Sequence, residues 1–198
     1  FNLPGNAERD TLTSAARALE RGQLDAAIET ARRLWLDDPE NVKALTLLVR
    51  GLVYRSYDDY NHVIDRDTAL RYTTEAFGAT PENPDVLTIH AFALHANGAA
   101  IEAARLARIV LAQQPDNVLA RVTLGMAYSD VGGHQNALRE NQQTATAIAA
   151  GEHNLRMDAN RALALSLGDV GRYEDALAAV DGAIAANDRL AMLYFERA

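Results

Sequence analysis

Apolar and small residues recur along most of this chain at the three-to-four-residue interval of one helix face. Leu45, Val49, Leu52, Tyr57 and Tyr60 form one such row, and it predicts a helix that continues past Ser56. The pattern also repeats at longer range. "GQLDAAIETA" at Gly22, "GAAIEAARLA" at Gly98, "GGHQNALREN" at Gly132 and "GRYEDALAAV" at Gly171 are versions of one segment. Five residues after each glycine stands Ala27, Ala103, Ala137 or Ala176, and seven before each stands Ala15, Ala91, Gly125 or Ala164. Gly98 to Gly132 is 34 residues, and so is Pro81 to Pro115.

Such a unit is a helical hairpin. Glycine supplies the sharp turn, small residues on both helices let the backbones approach, and Pro39, Pro81 and Pro115 end three of the units. A single hairpin cannot bury its apolar stripe, so hairpins must stack. A 34-residue hairpin with a small residue, glycine, small residue and proline at these offsets resembles the tetratricopeptide repeat. The resemblance implies an all-α solenoid of stacked hairpins wound into a right-handed superhelix. It covers nearly the whole chain as one array, with units near 8–41, 42–83, 84–117, 118–151 and 157–190 and a first helix of a sixth at 191–198. The aromatic signature is thin: Tyr128 and Tyr173 fit, while Thr11, Leu45, Leu87, Arg121 and Asn160 stand where a tryptophan is usual.

Two units depart from the period. Ala27 to Ala69 and Pro39 to Pro81 both span 42 residues, eight too many. Eight is close to two helical turns. Shared between antiparallel helices, it lengthens each by about one turn and keeps both apolar stripes in phase. The excess lies around Ser56 to Asp65, within "YRSYDDYNHVIDRD", where Asp65 or Asp67 can cap the second helix. This tip, with Tyr57, Tyr60 and His62, has three open uses: a capped, solvated turn, a tyrosine knob for a partner, or a metal site from Asp58, Asp59, His62, Asp65 and Asp67. Its spacing matches no calcium loop. Gly132 to Gly171 is 39 residues, so a smaller insertion falls around Glu152 to Arg156. It predicts a longer first helix in the fifth unit, with Asn154 as its cap.

Composition narrows the function. The chain is 48% hydrophobic and 23% charged, as a globular chain is, and its net charge of −8 argues against nucleic acid as the main partner. With no cysteine there is neither a disulfide framework nor a thiol nucleophile. The longest charge-free stretch, Val86 to Ile101, is too short and too polar to span a bilayer. The chain opens on Phe1 rather than Met, and the expectation is a trimmed piece of a longer protein. The five histidines are scattered; no catalytic motif, metal site or phosphate loop is recognisable, and no cofactor is implied.

What remains is a surface. In the tetratricopeptide family the first helix of each hairpin lines a concave groove. The resemblance places Arg9, Leu12, Lys43, Arg50, Val53, Tyr54, Phe92, His95, Val122, Met126, Arg161 and Leu165 there. An apolar track is expected from Leu12 through Val53, Phe92, Val122 and Met126 to Leu165, with basic residues early and acidic residues late. Only Arg50 is cationic among the positions of the family's clamp for a C-terminal carboxylate, so that mode is not expected. The expected role is non-catalytic binding of a protein or peptide segment. The alternative is a spacer or assembly segment of a larger protein. "LAMLYFERA" at Leu190 to Ala198 reads as a first helix with no second after it, so the expectation is an exposed apolar edge, covered either by a continuation of the parent chain or by another copy.

Overall fold

The computed structural model describes residues 11–148 and 153–197; Arg9, Glu152 and Ala198 lie outside them. Among the described residues the chain forms eleven α-helices and one short 3-10 turn, with no strand. The helices are α1 (Leu12–Glu20), α2 (Leu24–Asp37), α3 (Val42–Asp58), α4 (Asp65–Ala79), α5 (Pro84–Ala96), α6 (Ala100–Gln113), α7 (Val118–Asp130), α8 (His134–Ala147), α9 (His153–Asp169), α10 (Tyr173–Ala186) and α11 (Ala191–Arg197). Consecutive helices pack as hairpins, and the odd-numbered ones stack against each other on the inner side.

Local chemistry sets the ends. Gly22, Gly98, Gly132 and Gly171 are the described residues with positive φ, between 66° and 81°, which close the turns inside four hairpins. A second device sits between hairpins. Asn41, Asn83 and Asn117, each two residues after a proline, accept backbone N–H groups of the helix they precede, at 3.1, 2.9 and 3.0 Å. Thr11 and Ser14 cap α1 reciprocally. The small residues stand where helices touch. A methyl group on Gly125 would lie 1.9 Å from the Asn141 side-chain oxygen, so α8 presses directly on the α7 backbone. Asn141 in turn donates to the Ala162 carbonyl and to Ser166 on α9.

The eight extra residues of the second hairpin are shared unequally. The first helix, α3, has 17 residues against 13 in α5 and α7, one whole turn more. The second, α4, has 15 against 14 in α6, and the 3-10 turn Tyr60–His62 takes up much of the rest. Neither Asp65 nor Asp67 is the cap: both lie inside α4, behind Ile64. The Asp65 carboxylate is held by the Arg55 guanidinium at 2.7 Å instead, and Asp59 caps the 3-10 turn. In the fifth hairpin α9 also runs to 17 residues. Asn154 is not its cap either; it is buried within the helix and accepts from Asn187 at 3.2 Å.

The array curves until its ends meet. α9 reaches α1 and α3, and α11 packs against α3 as well as α10. One continuous core cluster accordingly runs from Ala15 and Leu19 through Leu45, Leu52, Phe92 and Val122 to Met157, Leu190 and Leu193.

Candidate functional site

Closure of the array changes the meaning of the inner face. Arg50, Val53, Tyr54, Phe92, Val122 and Met126 do point inward from α3, α5 and α7, but all six are buried, none more than 7% exposed. The open apolar track from Leu12 to Leu165 is therefore absent; its middle is core. The physical reason is that α9 and α11 lie across the space an open groove would leave. Tyr54 meets the edge of Phe92 with ring centres 6.4 Å apart, and Met126 lies beside the Arg161 guanidinium.

A polar cluster spans this interior. Arg50 donates to Asp158 Oδ2 at 2.6 Å and to the Tyr54 hydroxyl at 2.7 Å, and that hydroxyl donates to Asp158 Oδ1 at 2.6 Å. Burial opposes the Arg50 charge, but Tyr54 and Asp158 outweigh it and raise the guanidinium's pKa. Burial pushes the Asp158 carboxyl up, with Arg50 and the Tyr54 hydrogen bond pulling it back. The Tyr54 hydroxyl is pushed well up by the same burial.

At the carboxyl ends of the inner helices a second polar set gathers. Arg161 pairs with Glu196 at 2.6 Å and lies 5.4 Å from the Tyr57 ring centre, whose other near cation is Arg66 at 5.8 Å. His95 sits 3.0 Å from Asp130; burial lowers its pKa while Asp130 works the other way. Of the tip residues, Tyr57 is half-buried in this set, Tyr60 is 89% exposed, and His62 is half-exposed near Asp59 and Asp65. Leu165 is exposed on α9. Among the described residues no group of three or more histidine, aspartate or glutamate side chains could hold a metal ion. No described helix is long and apolar enough to cross a membrane.

The concave face stays open at one mouth, by the amino ends of α3, α5 and α7. A cavity of about 870 Å³ lies there. Its walls are Leu12, Ala16, Val42, Leu47, Leu119 and Leu155, with Thr46 and Thr88 between them and Arg50 on its lining. Arg17, Glu20, Lys43, Asp85 and Asp116 supply charges of both signs. Leu12, Lys43 and Arg50 were expected on this face; Leu47 and Leu155 were not. Leu155 lies in the first turn of α9, within the five-residue excess around Glu152 to Arg156, so the irregular spacing from Gly132 to Gly171 was its only sequence signal.

No protein-family model matches the sequence, and no curated protein matches it. Solved structures do. The chain is similar to a thermophilic TPR protein of Thermus thermophilus, at 18% identity and a TM-score of 0.67, over 96% of this chain and 97% of that one. It is similar to a tetratricopeptide repeat protein from Parabacteroides merdae, at 17% identity and a TM-score of 0.51, over 94% and 69%. It is similar also to MamA AMB-1, at 20% identity and a TM-score of 0.50, over 88% and 94%. The chain has the tetratricopeptide-repeat fold, an α-solenoid of helical hairpins.

Proposed function

We propose that this chain is a non-catalytic interaction module that takes a short segment of a partner protein in the mouth of its concave face. The observation that carries the reading is the cavity of about 870 Å³, where Leu12, Ala16, Val42, Leu47, Leu119 and Leu155 form apolar wall between polar and charged side chains. Pockets of a few hundred to about 1,000 Å³ take small ligands or a few side chains, not a domain. Its apolar walls suit apolar side chains of the partner, and rim charges of both signs fix the direction of the bound segment. Val53, Tyr54, Phe92, Val122 and Met126 are committed to the chain's own core, which leaves the mouth as an open part of the inner face.

The test is a random peptide library selected against the intact chain. Selected peptides should carry two or more apolar residues. Thr46→Trp, which fills the cavity, should weaken them by about 2 kcal/mol, the size of a hot-spot loss. Ile101→Asp, on the outer side where Ile101 is 79% exposed, should leave affinity unchanged. Binding indifferent to Thr46→Trp overturns the reading.

A second reading, an assembly segment, is favoured by one observation. Phe195 is 77% exposed and Tyr194 49% on α11, although Leu190, Met192 and Leu193 beside them are buried.

A further inference from the structure

We infer that the Arg50–Tyr54–Asp158 cluster is a latch that holds a separable ring shut, so that the inner face exists in a closed and an open form. Asp158 lies 108 residues beyond Arg50 along the chain, and their contact joins arms that no consecutive hairpin joins. Other contacts cross this seam as well. Asp58 Oδ1 accepts the Met192 N–H at 3.1 Å, Arg161 lies over Tyr57, and the Arg189 side chain covers the turn at Gly22. That turn has no room for a Cβ, which would stand 2.3 Å from the Arg189 Cβ, whereas the other three turn glycines have nothing within 4 Å.

The seam and the hairpin interfaces would part at different cost. Separating consecutive hairpins exposes carbon, and nothing in water replaces the lost burial. Separating Asp158 from Arg50 and Tyr54 exposes a carboxylate, a guanidinium and a phenol, each of which water rehydrates. Much of the ion pair's attraction is offset by the desolvation that closure imposes. The seam also buries carbon, since Met157, Leu190 and Leu193 share one core with Leu45 and Leu52, so what the charged cluster adds is a closure that depends on both of its charges being paired.

Opening would uncover inner-face residues around Tyr54 and Phe92. A partner longer than the mouth can hold would then compete with the chain's own C-terminal arm. Its apparent affinity would be scaled by the open fraction. That consequence rests on the binding reading above; the opening itself does not.

The experiment uses the intact chain with no partner. Asp158→Asn leaves Arg50 buried without its counter-charge. It should raise the radius of gyration in small-angle scattering, keep the helical circular dichroism, and speed amide exchange of Arg50–Tyr54 and Met157–Arg161 at least tenfold. The double substitution Arg50→Met/Asp158→Leu, which makes the seam apolar, should restore the wild-type radius and slow exchange. An Asp158→Asn chain with unchanged radius and exchange overturns the latch. So does one that loses its helical signal, because closure would then be part of a single cooperative fold. A failed peptide selection at the mouth would leave both measurements intact.

Discussion

His90 shows how one buried side chain sets a condition on the whole. It stacks on Phe77 with ring centres 4.9 Å apart and sits 3.0 Å from the Thr73 hydroxyl, 7% exposed. Burial lowers its pKa from the ordinary 6.5, with Glu102 opposing weakly. Above about pH 6.5 the imidazole is neutral folded or unfolded. As pH falls below that, the unfolded chain takes a proton that the folded chain refuses, and stability is lost down to the folded pKa. Melting temperature should therefore fall as pH drops through and below about 6.5, and His90→Gln should flatten the slope. His95, also lowered by burial, should keep the slope from vanishing. A slope identical in wild type and His90→Gln would show that His90 titrates normally in the fold. Phe92 and Met126 carry the opposite lesson. The family resemblance put them on a surface, yet they are 4% and 7% exposed, so a charge at either position would damage the core rather than only a binding face.

At the scale of elements, the hairpins obey local rules and the caps do most of the punctuation. Asn41, Asn83 and Asn117 each satisfy N–H groups that the first turn of a helix leaves free. Replacing Asn41 with alanine should cost about 1 kcal/mol in urea unfolding. Asn117→Ala should cost more, because the Asn117 amide also donates to Thr88 on the preceding inner helix at 3.0 Å. Equal losses at the two positions would remove any role for that inter-helix bond. The lengthened α3 shows where element-level reasoning succeeds and stops. The apolar spacing around Leu52 and Tyr57 rightly carried the helix past Ser56, because a helix period is a property of neighbours. It could not tell that Arg55 would take the Asp65 carboxylate from capping duty, since that pairing depends on how the two helices lie side by side.

The whole molecule differs from an open superhelix because its last helices return to its first. The same closure sends Leu190, Met192 and Leu193 into the core and leaves Phe195 outside. On the assembly reading, light scattering after size exclusion should show mass rising above one chain with concentration, and Phe195→Asp should abolish the rise. A wild-type chain of constant mass from micromolar concentration upward would dispose of it. The helical hairpins, their turn glycines and the phase of the apolar stripes were legible from residues such as Gly98, Gly132 and Pro115, because each depends on contacts within about one repeat. The inward direction of Arg50, Val53 and Tyr54 came from the family resemblance, which assigns it by position within the unit. Whether inward means groove or core was not, because it depends on small rotations between hairpins that add up along the array. Only the summed curvature decided that Asp158 would meet Arg50, that Phe92 and Val122 would be covered, and that Leu155 would reach the mouth. A 34-residue period contains no term for an encounter 108 residues away; that encounter belongs to the tertiary structure alone.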